Sequence, residues 1–371
     1  MNCYHVRTNP GLEPILLEEL RELFPTDRLT SRPEDRVGWV RLDRADPVKP
    51  ALWPSLRTAY EVVRVTASHS LPAGALATAE EMIAEITRFV ATATLPQIGA
   101  GETFAVRCRR DGNHPLQSPL IEREVGAIVA GRTGRRVNLD APAVTVRADL
   151  SGPRLFLAAL ETPRPLDRRF DWVYRPRITL STVVAAATLR IATAPADGAP
   201  PPEGALLDPF CGSGTIAIEA AADGRWATEP VFASDLSPEA VAGARANAKR
   251  NGLSDRVSIA HGDALEIAGR YRDRGITKVV CNPPFGVRLG RRINFLTFYR
   301  TLLREVAALL PPRGRLVLLS SRRRGVLNRV IADSGDWRIL SVHLIETGGV
   351  FPAIFALERR DVDGDHRRRL S

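Results

Sequence analysis

A chain of 371 residues, 44% hydrophobic and 25% charged, is a folding globular sequence of about two or three domains rather than a disordered one. Its net charge of +10 favours a polyanionic partner, and the excess is uneven, +2 over residues 1–170 and +8 over residues 171–371. No signal-peptide pattern opens the chain, no apolar run is long enough to span a bilayer, and the four cysteines lack a C-x-x-C pair or a histidine set. A cytoplasmic protein with no membrane segment, disulfide framework or zinc site is therefore expected.

In chain order, Tyr4-His-Val-Arg7 reads as a short strand, and Leu12, Ile15, Leu16, Leu20 and Leu23 recur at helical spacing. Pro14 suits the first turn of that helix, where its missing N–H costs nothing. Residues 37–42 read as a strand and 46–50 as a turn, which makes residues 1–59 a small α+β unit. A second unit, 60–162, follows: a helix over 79–90, a strand over 103–108, a helix over 119–130 and strands near Val144 and Leu155. Within it Arg107, Arg109 and Arg110 form one basic cluster, and Arg132, Arg135 and Arg136 form another. Each alone reads equally well as solvated loop charge or as phosphate contact, and their recurrence in one module favours contact.

Segments 163–165 and 194–204, rich in proline, alanine or glycine, are punctuation around an entry helix over 180–191. From residue 205 onward, strands over 205–210, 231–235, 257–263, 276–282 and 315–320 alternate with helices over 215–222, 238–251 and 295–310. That alternation predicts an α/β fold with a doubly wound sheet. Two last apolar runs, 339–345 and 350–357, joined by Gly348-Gly349, read as a hairpin that closes the sheet, and the charged residues 361–371 as a loose tail.

Two turns at strand ends carry the chemistry: Asp208-Pro-Phe-Cys-Gly-Ser-Gly-Thr215 and Asn282-Pro-Pro-Phe-Gly286. Gly212-Ser-Gly214-Thr-Ile-Ala217 fits G-x-G-x-x-A, and Asp235 stands near the spacing of a ribose-binding acid. Glycines admit a ligand close to the backbone and an acid takes two ribose hydroxyls, so a nucleotide-type ligand follows. That pattern alone leaves a nicotinamide or flavin enzyme open, whereas a P-loop is excluded for lack of Gly-Lys-Ser/Thr. Asp263 after a third strand and Asn282-Pro-Pro-Phe285 after a fourth decide the matter, because hydride transfer has no use for the last turn. The Asn282 side-chain oxygen and the Pro283 carbonyl can accept the two N–H bonds of an exocyclic amine, and Phe285 can stack on its base.

With these residues the chain resembles the class I S-adenosylmethionine-dependent methyltransferases, and within them the THUMP-domain RNA guanine-N2 methyltransferases of the tRNA type, over nearly its whole length. Asp208 to Thr215 is similar to the family's D-P-[FM]-C-G-[ST]-G-T motif, Asn282 to Gly286 to its N-P-P-[YF]-G turn, and 103–160 to a THUMP module. The resemblance implies a ferredoxin-like unit (1–59), a THUMP-like RNA-binding domain (60–162), a linker with the entry helix (163–203) and a Rossmann-like methyltransferase domain (204–360). It implies S-adenosylmethionine held by Asp208, Phe210, Gly212, Gly214, Thr215, Asp235, Asp263 and Ala264, with Asn282, Pro283 and Phe285 at the reaction. RNA, most simply tRNA, would meet the six arginines, with no metal and with a monomer favoured. One departure is Leu180-Ser-Thr-Val-Val, where members often carry a proline-threonine pair. Other readings remain: a guanine of ribosomal RNA, an adenine N6 or a protein glutamine as acceptor, a non-catalytic RNA-binding protein, and an oxidoreductase.

Overall fold

The computed structural model describes residues 1–177, 179–284, 294–320 and 324–361. Contacts divide the chain into two compact units, Met1–Thr8 with Leu16–Leu166, and Asn9–Ile15 with Asp167–Ser371.

In the first, β1 (Asn2–Arg7) leads to α1 (Glu13–Leu23), which belongs to this unit from Leu16 onward, and to β2 (Arg28–Ser31), β3 (Trp39–Arg44) and β4 (Glu61–Ser70). There follow α2 (Ala79–Thr92), β5 (Thr103–Arg107), β6 (Arg110–Asp111), α3 (Ser118–Thr133), β7 (Arg136–Val137), β8 (Val144–Ser151) and β9 (Arg154–Leu160). The helix over 79–90 starts where it should: Thr78 caps α2 by accepting from Glu81 N, and Gly134 at φ 65° ends α3. Met82, Ile86, Val90, Ile121, Val125 and Val129 are buried from these helices together with Phe104, Val146 and Leu155 from the strands.

All the strands of this unit form one nine-stranded sheet, β2-β3-β1-β4-β9-β8-β5-β7, with β6 beside β8. Strand β4, absent from the sequence reading, joins its halves by pairing with β1 on one edge and β9 on the other. The expected division at residues 59 and 60 thus falls just before a strand shared by both parts. A register shift between Val65 and Ala67 explains why β4 went unseen, since it breaks the two-residue alternation that marks a strand.

The second unit begins its regular structure with α4 (Thr182–Thr193), capped by Ser181, whose side chain accepts from Val184 N. Residues Thr182 to Ala192 of it are all buried, as an internal helix requires. Then come β10 (Ala205–Asp208), α5 (Thr215–Ala222), β11 (Val231–Asp235), α6 (Pro238–Arg250), β12 (Val257–His261), α7 (Ile267–Tyr271) and β13 (Ile276–Cys281). The unit ends with α8 (Phe295–Leu309), β14 (Arg315–Ser320), α9 (Arg324–Ser334), β15 (Trp337–Leu344) and β16 (Ala353–Arg359).

Its sheet runs β12-β11-β10-β13-β14-β16-β15. Strands β10 to β14 are mutually parallel, while β16 lies antiparallel between β14 and β15 as the expected closing hairpin. Alternate residues feed opposite faces: Leu206, Ala233, Val280 and Val317 join one core cluster, and Leu207, Val279, Leu316 and Leu318 the other. The chain order reverses at β10, which has β11 on one side and β13 on the other. That reversal opens a crevice at the carboxyl ends of β10 and β13, where open parallel sheets take their ligands.

Candidate active site

The two motif turns leave the sheet at that crevice. Asp208 is the last residue of β10 and Cys281 the last of β13, so Asn282 begins its turn on the neighbouring strand. Between β10 and α5 the chain reverses through two left-handed glycines, Gly212 at φ 51° and Gly214 at φ 83°. Their needs differ. A Cβ on Gly214 would lie 3.2 Å from Ala244 Cβ, whereas one on Gly212 would meet nothing within 4 Å. An added Cβ at Gly214 would make Ala244 of α6 give by a few tenths of an ångström, whereas the backbone at Gly212 faces open space.

Three acids stand along this edge. Asp208 is 1% exposed, and its Oδ1 accepts from Phe210 N at 3.2 Å. Burial, with the Asp235 charge adding to it, pushes its carboxyl up to about 8. Asp235, at the end of β11, accepts from Gly212 N through Oδ2 and from Ser237 N through Oδ1, each at 2.9 Å. The acid and the glycine turn therefore hold each other in place, and each carboxylate oxygen keeps a second lone pair that can accept from a further donor. Asp263 caps the turn after β12 by accepting from Leu265 N at 2.8 Å, with Ala264 buried behind it. Thr215 opens α5 with Oγ1 at 3.1 Å from Ser213 Oγ. Phe210 packs on Phe298 of α8, ring centroids 6.0 Å apart.

Asn282 is half-buried, and its side-chain Oδ1 is wholly so. That oxygen has no hydrogen-bond partner among the described residues. Leaving a buried acceptor unmatched costs about 1–3 kcal/mol, which fits an atom kept for a ligand's N–H. Pro283 behind it is buried and Pro284 half-buried, so the turn is stiff. Phe285 and Gly286, the rest of the expected motif, lie outside the described residues. Cys211 and Cys281 flank the two turns as buried thiols, and burial raises both pKa values, which disfavours a nucleophilic thiolate. Leu236, which the sequence reading did not single out, stands 63% exposed beside Asp235, an exposure that only the fold reveals.

The six arginines of the first unit divide by what they hold. Arg110 donates to Leu116 O at 2.7 Å, to Gln117 Oε1 at 3.0 Å and to Ser118 Oγ at 3.2 Å, which ties down the approach to α3. Arg132 donates to Val90 O at 2.7 Å and Ala93 O at 2.8 Å, closing the end of α2. Arg107 serves Leu139 O at 2.7 Å. Arg109 lies 3.6 Å from Glu61, a half-buried carboxyl that Arg147, Arg7 and Arg109 together hold down at about 2 against the opposing effect of burial. Arg135 and Arg136 carry no side-chain ion pair or hydrogen bond among the described residues, and Arg136 is exposed. No group of His, Cys, Asp and Glu among the described residues has an arrangement that could hold a metal.

A family model described as RMKL-like, methyltransferase domain, matches residues 174–351, and a THUMP domain model matches residues 77–158. The chain is 37% identical over 352 residues to the tRNA (guanine(6)-N2)-methyltransferase of Thermus thermophilus, covering 95% of this chain and 98% of that one. It is 28% identical over 284 residues to the protein of the same name from Archaeoglobus fulgidus, covering 68% and 69%. Its fold is similar to the crystal structure of TrmN from Thermus thermophilus with a TM-score of 0.75 at 34% identity, covering 97% of this chain and 100% of that one.

Proposed function

Because the chain belongs to the THUMP-domain tRNA guanine-N2 methyltransferases, we propose that it methylates the N2 amine of guanine 6 in tRNA, with S-adenosylmethionine as donor. The observation that carries the reading is the orphaned Asn282 Oδ1 on the turn that follows β13, the strand paired with β10. The shared name of the relatives supports the nucleotide position. A cytoplasmic site of action goes with a tRNA substrate, and both amine acceptors come from one chain, so a monomer suffices.

The residues present fit the cofactor. Gly212 leaves room beside the backbone, Asp235 and Asp263 offer acceptors to a nucleoside, and Asp208 is a buried acid in the β10 turn. When bound, S-adenosylmethionine supplies an electrophilic methyl group on a sulfonium. The chain's part is to make a poor nucleophile usable. A guanine amine delocalises its lone pair into the ring, and Asn282 Oδ1 with the Pro283 carbonyl can accept its two N–H bonds, returning electron density to nitrogen and aiming the lone pair. Because the prolines fix both acceptors, little reorganisation is needed as positive charge grows on nitrogen. The base must leave its stack to enter such a pocket, and Phe285 is the proposed face that receives it.

Replacing guanine 6 by inosine removes only the exocyclic amine. Labelled methyl transfer to a tRNA transcript with guanine 6, abolished by inosine there, is the expected result. Transfer that survives the inosine substitution moves the site elsewhere in the tRNA, and transfer to ribosomal RNA alone moves the substrate. Asn282→Ala should lower single-turnover methylation at saturating RNA and cofactor by roughly 10²-fold while leaving S-adenosylhomocysteine affinity intact.

A further inference from the structure

The segment leading into α4 is tied down by two asparagines one turn apart, Asn247 in α6 and Asn251 just past its end. Asn247, 0% exposed, spends its whole side-chain amide there. Its Oδ1 accepts from Val173 N at 2.8 Å and Tyr174 N at 2.9 Å, and its Nδ2 donates to Tyr174 O at 2.7 Å and Ser213 O at 2.9 Å. Asn251 repeats the pattern on Asp171, accepting from its N at 3.0 Å and donating to its O at 2.8 Å. Ser213 lies between Gly212 and Gly214, so one buried amide locks the segment in register with the glycine turn.

This places the Tyr174 ring on α6 at Gly243. A Cβ on Gly243 would lie 2.2 Å from ring Cδ1, closer than atoms can approach, so the glycine is the seat of the ring. A mid-helix glycine costs about 1 kcal/mol relative to alanine, and here the close packing explains it. Glu239 stands one turn nearer the start of the same helix, and Asp235 just precedes that helix at the end of β11. Burial first, and then the Glu239 and Asp235 carboxylates, raise the phenol's pKa, so both acids lie within electrostatic reach of the hydroxyl. The ring is half-buried, so one side remains open to a ligand.

We propose that Tyr174 is a cofactor-contacting residue whose hydroxyl meets the ribose of the bound nucleoside beside Asp235. The inference rests on the methyltransferase reading of the site, and it gives the segment before the sheet a direct part in holding the cofactor. Tyr174→Phe keeps the ring on Gly243 and removes only the hydroxyl. In calorimetric titrations of the full chain, S-adenosylhomocysteine should bind Tyr174→Phe about fivefold more weakly than wild type, the scale of one hydrogen bond. An analogue lacking both ribose hydroxyls should bind the two proteins alike. A second variant, Gly243→Ala, favours the helix and unseats the ring, and it should weaken S-adenosylhomocysteine binding in wild type but not in a Tyr174→Ala background. Equal affinity of wild type and Tyr174→Phe for S-adenosylhomocysteine, or an equal loss with the deoxy analogue, overturns the contact. An additive Gly243→Ala effect does so as well. A wild-type protein that binds no S-adenosylhomocysteine at all overturns the methyltransferase reading beneath it.

Discussion

Asp208 shows how one residue can be written plainly in the sequence and still acquire an unexpected property from the fold. Its place at the end of β10 was legible from an apolar run followed by a glycine turn, as were those of Gly212, Gly214, Asp235, Asp263 and Asn282, because each motif is local in the chain. Its burial was not legible, and that burial raises the carboxyl to about 8. In the unfolded chain an aspartate titrates near pH 4, so between about pH 4 and pH 8 the folded state holds a proton that the unfolded state has lost. Stability therefore falls as pH rises through that window, and Asp208 contributes most below it. Asp208→Asn keeps the acceptor for Phe210 N and removes the titration. Its melting temperature should decline less from pH 5 to pH 8 than that of wild type, and identical slopes would show that the carboxylate is already compensated when the protein is free. The Tyr174–Asn247 bonds had no comparable signal, since they span 73 residues and neither partner belongs to a motif.

At the scale of elements, legibility followed length and regularity. The central parallel strands β10, β13 and β14 were visible as largely apolar runs, because the middle of a sheet covered on both faces buries every position. By contrast β6 and β7, at two residues each, and α7, at five, are too short to show a period. Strand β4 is long enough, but its shifted register hides it. The loop from β10 to α5 gives a prediction of this scale, because its two glycines have the same backbone sign and different surroundings. An alanine in the left-handed region costs about 1–2 kcal/mol at either position. Only at Gly214 does the added Cβ press on α6, at Ala244. Gly214→Ala should lower the melting temperature of the free protein more than Gly212→Ala, whereas Gly212→Ala should lose S-adenosylhomocysteine affinity out of proportion to its stability. Thermal melts with and without the ligand separate the two, and the same rank order in both measurements would mean that Gly212 has no part in admitting the ligand.

For the whole molecule, the net charge of +10 pointed to a polyanion, yet charge alone could not say which arginines meet it. Four of the six arginines expected to meet RNA already hold parts of their own unit: Arg110 and Arg132 secure helix ends, Arg107 serves a loop carbonyl, and Arg109 belongs to the cluster around Glu61. A guanidinium that already holds part of its own unit is committed in position, so these arginines and the remaining pair should respond differently to substitution. Arg132→Ala leaves two carbonyls at the end of α2 without their donor and should destabilise the protein by about 1–2 kcal/mol, with little change in the salt dependence of tRNA binding. Arg135 and Arg136 have no such employment among the described residues, and Arg136 begins β7, at the edge of the first unit's sheet, with Arg135 just before it. If both meet phosphates, Arg135→Gln with Arg136→Gln should weaken tRNA binding uniformly across sequences. It should also make the slope of log K against log salt shallower by about 1 for each phosphate no longer neutralised, with the melting temperature unchanged. An unaltered slope in the double variant would mean that these two arginines are solvated surface and that other residues neutralise the phosphates of the substrate.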